Sequence, residues 1–348
     1  MSGPAVPAGA LAGRRVLLLT EGAWDHACSR VRAAAYLPAL RAAGLRVTWL
    51  PRIPEGPNGV RRAVSKRART GLRAAAVWAG PWDLVFAQRL ALAPALLRRL
   101  AARRVPLVYD FDDALYLGAG AAPTAAMVRA AARVVVSAPE LAAYCAGLGV
   151  GAVRVPTPVD VGRFVPGPPP PPDPFVVGWT GSPSTTPYLA EVAGALARLA
   201  AERPVRVLVV GAGPDVPLGG VEVERVPWTY AGEPAALRRM HVGVMPLPDT
   251  PWTRGKAGYK LLLYMAAGLP TVASPVGVNA EVVGGGGLLA RTEDEWYRAL
   301  GRLADDAALR ARLGRAGRDR AAAHYSRAVC APALLRVLAD ALDDAPAP

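Results

Sequence analysis

The sequence predicts an α/β protein built from two doubly wound domains that face each other across a cleft. Short aliphatic runs alternate with Ala-, Leu- and Arg-rich helical segments along the whole chain. A run of prolines interrupts this alternation near the midpoint. The length of 348 residues also exceeds what a single hydrophobic core usually supports.

The N-terminal half contains apolar runs of strand length, separated by helical segments that include 29–43 and 90–103. Strands that are apolar almost throughout are typical of parallel sheets covered by helices on both faces. We therefore predict a parallel sheet in an N-terminal domain at 1–164. Its predicted strands are 15–20, 46–50, 83–87, 106–110 and 133–137.

The proline run at 165–174, VPGPPPPPDP, is predicted to link the domains, because consecutive prolines fit neither a helix nor a sheet interior. An ordinary surface loop is the alternative. The alternation then resumes, which places a second domain at 175–326 and a terminal helical segment at 327–348. The predicted strands of the second domain are 175–179, 205–210, 221–226, 242–246, 270–274 and 287–290, and its helices are 186–202, 233–240, 256–267, 292–304 and 306–324.

The composition limits the class of protein. The net charge of +14 favours anionic partners but not nucleic acid, because the basic residues are spread along the chain without a DNA-binding motif. Three distant cysteines argue against disulfides or a zinc site and favour the cytoplasm, and the chain start lacks the pattern of a secretion signal. The uncharged stretch 261–280 has the length of a membrane span, but Gly268 and Pro270 interrupt it, so buried helix and strand are predicted.

Lys256 and Lys260 are two of only three lysines in the sequence, and they are predicted to lie in the first two turns of helix 256–267. Cations at a helix N-terminus oppose the helix dipole by about 0.3–1 kcal/mol each. Like charges four residues apart add about 0.2–0.5 kcal/mol of repulsion. A bound anion would reverse these effects, because N–H groups, dipole and ammonium groups would converge on it. The pattern therefore predicts an anion site, with a solvated basic turn as the alternative.

Three further loops in the second domain combine small and polar residues, and each follows a predicted strand. Such loops bind anions at the carboxyl edge of parallel sheets, although the same residues also cap ordinary helices. The candidate ligand-binding residues are Gly181, Ser182 and Ser184 in the first loop, Gly211 and Gly213 in the second, Gly277, Val278, Asn279 and Glu281 in the third, and Arg254 just before the lysines.

The runs HVGVMPLPDTPW and WTRGKAGYKLLLYMAAGLPTVASPVGVNAEVV resemble the donor-binding region of retaining glycosyltransferases of the family-four type, which have the GT-B fold. GWTGSPSTTPYL, SRVRAAAYLPALRAAGLRV and VYDFDDALY are similar to other parts of that family, so the resemblance covers nearly the whole chain. It implies two Rossmann-like domains, with the donor in the C-terminal half and the acceptor mainly in the N-terminal half. It also implies that a last helix, here 327–343, crosses back to the first domain.

The family transfers a sugar from a nucleotide sugar with retention of anomeric configuration and requires no metal or cofactor. The resemblance implies that Lys256 or Lys260 neutralises the leaving diphosphate, and that Glu281 and loop 277–279 lie near the donor hydroxyls. Preorganised cations stabilise the negative charge that a departing diphosphate gains. The expected partners are a nucleotide sugar and an acceptor whose class, whether a glycan, a lipid-linked molecule or a small molecule, stays open.

The sequence departs from the family at two positions. Many members carry two glutamates, the second of which usually holds the ribose of the donor, and the matching residues here are Gly255 and Leu263. Leucine forms no hydrogen bond with a ribose diol. Two alternatives therefore stay open: a non-catalytic GT-B-like protein that binds a partner or glycan, and a hydrolase or epimerase that acts on the nucleotide sugar itself.

Further candidates follow two predicted strands of the N-terminal domain, at the edge that faces the cleft. Asp110, Asp112 and Asp113 end the fourth strand, where Asp112 is a candidate base and Asp113 a candidate acceptor contact. Capping of the next turn is the alternative. His26 follows the first strand and is a candidate catalytic residue, although a lone loop histidine is more often inert. Arg30 opens the next helix and is a candidate acceptor-side residue, with a solvated turn as the alternative.

The segment 60–78 is predicted to be a basic amphipathic helix. Such a helix is able to lie on an anionic membrane, which suits a lipid-linked acceptor, whereas a helix with a solvated face is the alternative. We therefore expect a cytoplasmic protein, and we hypothesise that this helix contacts the inner face of the membrane peripherally. The apolar positions are 60, 64, 68 and 72, and the basic residues around the other face are Arg61, Arg62, Lys66, Arg69 and Arg73.

Overall fold

A computed structural model describes residues 9–53 and 60–344, and the chain divides into two compact units. The first unit combines the residues up to Pro158 with those from Arg327 onwards, and the second unit is Val159–Ser326. Each unit contains a six-stranded sheet in which all paired strands are parallel. The predicted α/β class with two parallel sheets is confirmed.

The sheet of the first unit is formed by β1 (Arg15–Gly22), β2 (Arg46–Ile53), β3 (Leu84–Gln88), β4 (Leu107–Phe111), β5 (Arg133–Val136) and β6 (Ala152–Arg154). Its strand order is β2-β1-β3-β4-β5-β6. Every residue of β3 and β4 is buried, as expected for central strands covered on both faces.

The sheet of the second unit is formed by β7 (Phe175–Thr180), β8 (Val205–Val210), β9 (Glu222–Val226), β10 (Val242–Met245), β11 (Thr271–Ala273) and β12 (Gly287–Leu289). Its strand order is β12-β11-β10-β7-β8-β9. The order therefore reverses at β7, which pairs with β8 on one side and with β10 on the other. Ligands of open α/β sheets bind at the carboxyl ends of the strands beside such a reversal.

Helices connect these strands. The first unit contains α1 (Ala27–Arg32), α2 (Leu37–Ala42), α3 (Val60–Ala79), α4 (Pro94–Ala102), α5 (Ala121–Ala130) and α6 (Pro139–Gly147). The second unit contains α7 (Ala190–Glu202), α8 (Glu233–Leu237), α9 (Pro251–Arg254), α10 (Tyr259–Ala266), α11 (Asn279–Val283), α12 (Glu293–Asp305) and α13 (Ala307–Tyr325). The last helix, α14 (Arg327–Asp343), belongs to the first unit, where Cys330, Leu334 and Leu338 share a core with Leu18 and Tyr36.

Two predictions about helices and boundaries need correction. The predicted helix 29–43 is divided into α1, a 3₁₀ turn and α2, because Pro38 has no N–H to continue the preceding helix. The units divide between Pro158 and Val159, so the proline run 165–174 lies within the second unit rather than between the two. The elements α5, α6 and β6 were not predicted, since α5 and α6 are rich in alanine and β6 has only three residues.

The described side chains of α3 reverse the predicted faces of this helix. Leu72 is 56% exposed, whereas Arg73 is buried, and burial and then the neighbouring Arg52 lower the pKa of Arg73 to about 10. The side chains at 60–67 lie outside the described ones. Contact of α3 with an anionic membrane stays a prediction. None of the helices described here is long and apolar enough to cross a membrane.

Candidate functional site

The candidate site of the second unit lies at the carboxyl ends of β7, β8, β10 and β11, which are neighbours in the sheet. The loops that leave these strands include the three loops predicted from their small and polar residues. Because the strands are parallel, these loops lie at one edge of the sheet. The sequence pattern therefore located the loops that the fold places side by side.

The loops after β7 and β8 pack directly against each other. The N–H of Gly181 donates to the carbonyl of Val210 at 3.0 Å, and the N–H of Gly213 donates to Oγ1 of Thr186 at 2.9 Å. Gly211 stands where a Cβ would press on the carbonyl oxygen of Gly181, so a larger residue would push the loops apart. These contacts hold the two loops as one surface.

Ser182 and Ser184 carry the exposed hydroxyl groups of this surface. Their Oγ atoms lie 3.0 Å apart, and both residues are exposed. The N–H of Ser182 donates to Oγ1 of Thr185 at 3.2 Å, which is ordinary helix-start chemistry. The two serine hydroxyls are therefore the groups of this loop best placed to meet a ligand.

The positions of the two lysines relative to the helix start differ from the prediction. The helix that was predicted to begin at 256 begins at Tyr259, because Gly258 adopts a left-handed conformation (φ 67°) just before it. Lys256 therefore lies in the connection between α9 and α10, and only Lys260 lies in the first turn of α10. The predicted repulsion between lysines on one helix does not apply, whereas the unfavourable position of Lys260 near the helix N-terminus remains.

Each lysine lies over a tryptophan ring. Nζ of Lys256 is 5.2 Å from the ring centroid of Trp252, and Nζ of Lys260 is 5.5 Å from that of Trp179. Trp179 is buried and Trp252 is 36% exposed. Attraction between an ammonium group and the face of an aromatic ring holds each lysine in place. Neither tryptophan was identified from the sequence, although Trp252 stands four residues before Lys256.

Gly277 allows the loop after β11 to approach the backbone that precedes Lys256. Its φ is 56°, and a Cβ at this position would overlap the carbonyl oxygen of Arg254. The side chain of Arg254 forms an ion pair with Asp249, in which Nε of Arg254 lies 2.6 Å from Oδ1 of Asp249. The main chain of Arg254 thus positions the loop, while its exposed side chain is engaged by a carboxylate.

We expect Gly277→Ala to destabilise the second unit by about 2 kcal/mol or more, since alanine strains the left-handed backbone and its methyl group meets the Arg254 carbonyl. The thermal midpoint should fall by about 4 °C or more. The matched control is Gly285→Ala, where φ is not positive and nothing lies within 4 Å of the added Cβ. Equal midpoints for the two variants would contradict this packing role.

The remaining predicted residues of this loop differ in exposure. Val278 and Asn279 are buried, and Nδ2 of Asn279 donates to the carbonyl of Ser274 at 3.0 Å. Glu281 is exposed on α11. Leu263, where the sequence resemblance implies a glutamate, is 3% exposed on α10. Because these other side chains are buried, Glu281 and the loop backbone are the parts of this segment that are open to a ligand.

A second cluster forms at the carboxyl ends of β3 and β4 in the first unit. Nη1 of Arg89 donates to Oδ1 of Asp112 at 2.9 Å and to Oδ2 of Asp113 at 2.5 Å. Burial opposes the charge of Arg89, but the two carboxylates outweigh it and raise the pKa of its guanidinium. Arg89 also has a left-handed backbone (φ 56°), which is uncommon for a residue with a side chain. Sequence reasoning missed Arg89, although a charged residue directly after an apolar strand was the available signal.

His26 lies beside this cluster, and its ring packs over Gly22. Burial, followed by the positive charge of Arg89, lowers the pKa of His26 below its ordinary value, so the ring is neutral at pH 7. Its Nδ1 is buried and has no hydrogen-bond partner among the described residues. A neutral imidazole with an unpaired nitrogen is able to accept a proton.

Two other candidates of the first unit form contacts within the fold. Asp110 forms a buried ion pair with Arg32, so it does not end in an open carboxylate as predicted. Arg30 is buried, and its Nη1 donates to the carbonyl of Trp24 at 3.1 Å. Arg30 therefore holds the loop that carries His26, and contact with an acceptor stays a prediction for it.

The thiol of Cys28 and the carboxylates of Asp112 and Asp113 offer ligand atoms within 4.8 Å of one another. The guanidinium of Arg89 is bonded to both carboxylates, however. A divalent cation would have to displace this buried charge. The donor set therefore fits the arginine and does not fit a metal.

The chain is similar to known proteins in part of its sequence and in its fold. Residues 175–306 match the family model of the glycosyl transferases group 1. No curated protein matches the chain. Several solved structures share its fold over nearly their whole length.

A sucrose-phosphate synthase from Thermosynechococcus elongatus has a TM-score of 0.72 at 17% identity, covering 93% of this chain and 98% of its own. A glycosyltransferase from Rickettsia africae has a TM-score of 0.70 at 12% identity, covering 95% and 100%. HepE of Anabaena, solved in complex with UDP and glucose, has a TM-score of 0.65 at 15% identity, covering 92% and 98%. The GT-B fold implied by the sequence resemblance is confirmed.

Proposed function

We propose that this chain, a glycosyltransferase by the group 1 domain at 175–306, transfers a sugar from a nucleotide sugar to an acceptor with retention of anomeric configuration. In this proposal the donor binds at the carboxyl edge of the second sheet. HepE, which shares the fold, is a structure with bound UDP and glucose. That neighbour supports a nucleotide-sugar donor here.

The observation that carries the proposal is the placement of the two lysines. Lys260 lies in the first turn of α10, at the positive end of the helix dipole, and Lys256 lies in the connection just before it. A diphosphate in front of α10 would meet the positive end of the helix dipole and two ammonium groups. Fixed cations stabilise the charge that develops on a leaving diphosphate.

Hydrogen bonds to the rest of the donor have to come from residues other than Leu263, which is buried. The exposed hydroxyl groups of Ser182 and Ser184 and the exposed carboxylate of Glu281 are the proposed partners of donor hydroxyls. These residues follow β7 and β11, at the same edge of the sheet as the lysines.

The acceptor is proposed to meet the polar cluster of the first unit. Arg89 fixes the carboxylates of Asp112 and Asp113, which are then oriented to accept hydrogen bonds from acceptor hydroxyls. The imidazole of His26, which its lowered pKa keeps neutral at pH 7, is the proposed proton acceptor of this cluster.

A panel of UDP-, GDP- and dTDP-sugars tests the proposal by calorimetry, followed by mass analysis of the product with candidate acceptors. We expect one nucleotide class to bind, and the product to keep the anomeric configuration of the donor when it is analysed by NMR. Failure of the whole panel to bind would support a non-catalytic binding protein instead. Release of free sugar without an acceptor product would support a hydrolase.

A further inference from the structure

The second unit contains a cavity of about 340 Å³ at the edge of its sheet opposite the proposed donor site. This edge is identified by His241 and Pro270, which line the cavity and directly precede β10 and β11. The other walls are the proline run between 166 and 170, the turn after α10 and one face of α13. The volume lies in the usual range of small-molecule sites.

Four arginines line this cavity: Arg238, Arg310, Arg315 and Arg318. No aspartate or glutamate is present among its described lining residues. Nη1 of Arg318 donates to the carbonyl of Phe164 at 2.7 Å, and Nη1 of Arg310 donates to that of Ala304 at 3.1 Å, so these two are held in place. Arg238 and Arg315 are exposed. The lining, as far as the structure describes it, is therefore cationic and contains no carboxylate.

His241 adds a buried donor to the same cavity. It is 4% exposed, and its Nδ1 accepts the N–H of Val176 at 2.9 Å. The proton of the neutral ring is therefore on Nε2, which is buried and forms no hydrogen bond of regular geometry with the described residues. Burial lowers the pKa of this ring, and interaction with the carbonyls of Pro170 and Pro171 as hydrogen-bond acceptors partly offsets that effect. A ligand oxygen in the cavity would offer this buried N–H an acceptor of better geometry.

The rest of the lining is apolar. It consists mainly of proline rings, alanines and Met240. Such a surface suits a compact apolar group, whereas the arginines and His241 suit the oxygens of a phosphate or carboxylate. We propose that this cavity binds a small organic anion, a compact apolar body that carries one phosphate or carboxylate group.

The cavity is distinct from the proposed donor site, although α10 connects the two. Lys260 lies in the first turn of α10, while Ala267 and Gly268, just past its last residue, line the cavity. Both sites attract phosphate, so a test has to separate them. Binding is therefore measured on the full chain with Lys256→Ala and Lys260→Ala present, which removes the cations of the donor site.

Phenyl phosphate is the probe, and calorimetry is the measurement. In the background that lacks Lys256 and Lys260 we expect it to bind, and we expect Arg238→Gln with Arg315→Gln to weaken this binding about tenfold or more. The matched control is Arg312→Gln, an exposed arginine of α13 that does not line the cavity, and it should bind as the background does. Inorganic phosphate and benzyl alcohol, which each supply half of the ligand, should both bind more weakly.

A second measurement, by NMR, reports on the side chain of His241. The nitrogen resonance of its Nε2 should shift on addition of phenyl phosphate, whether or not the arginine variants change the affinity. No binding of phenyl phosphate in the background, or unchanged binding after removal of Arg238 and Arg315 together with an unmoved His241 signal, would overturn the proposal. Binding of benzyl alcohol as tight as that of phenyl phosphate would overturn its anionic part.

Discussion

Lys260→Ala is expected to lower the turnover number of sugar transfer by about 10²- to 10³-fold, the usual effect of removing one preorganised group that stabilises developing negative charge. Lys260 lies at the N-terminus of α10, and its ammonium group is held over the buried ring of Trp179. The expected loss falls mainly on kcat rather than on KM, because charge accumulates on the diphosphate in the transition state. Steady-state kinetics with the donor identified from the nucleotide panel measure both constants.

Three comparisons separate this role from a loss of stability. Lys256→Ala should lower turnover less than Lys260→Ala, because Lys256 lies outside the helix and over the more exposed ring of Trp252. Arg302→Ala removes an exposed cation on α12 and should leave turnover unchanged. Lys260→Arg keeps the charge and should restore part of the activity. Full turnover in a correctly folded Lys260→Ala protein would rule out the proposed contact with the leaving group.

Asp110→Asn is expected to destabilise the first unit by about 3–5 kcal/mol, since it leaves the buried guanidinium of Arg32 without its counter-charge. The side chains of Arg32 and Asp110 are 1% and 2% exposed, and Nε of Arg32 lies 3.2 Å from Oδ1 of Asp110. Arg32 also donates to the carbonyl of Val155 at 2.7 Å, which ties the pair to the chain after β6. Hydrogen exchange of the amides in β1 and β4 reports the opening of this unit.

The control for this prediction is an exposed pair in the same unit. Asp344 is paired with Arg133 but is 58% exposed, so Asp344→Asn should change the free energy of unfolding by less than about 1 kcal/mol. The double variant Arg32→Met with Asp110→Leu should lose less stability than Asp110→Asn, because no buried charge is left unpaired. A small effect of Asp110→Asn alone would show that the buried pair is dispensable.

The sequence predicted the strands better than the helix ends. The prediction for β8 matches its observed bounds, because a buried parallel strand is apolar throughout and its limits appear directly in the sequence. Helix ends depended on single residues, such as the left-handed Gly258 and the proline in the first turn of α2. The faces of α3 were reversed because tertiary packing buries Arg73, which a helical periodicity assigns to the solvent.

The candidate sites were predictable where they follow strands and unpredictable where they depend on distant partners. The glycine and serine loops and both lysines were located from the sequence, since the carboxyl edge of a parallel sheet is known once the strands are known. Arg89 was missed because its role depends on carboxylates more than twenty residues away. The cavity beside His241 joins segments from 166 to 318, and no local pattern relates them.

The return of α14 to the first unit makes the order of synthesis matter. The second unit interrupts the first along the chain, so the ribosome finishes residues 159–326 before it makes the helix that completes the earlier core. Until then the nascent first unit lacks the 17 residues that cover Leu18 and Tyr36. An apolar surface of the growing chain therefore stays uncovered until α14 has been synthesised. A ribosome that stops before residue 327 releases a protein whose first unit lacks part of its core.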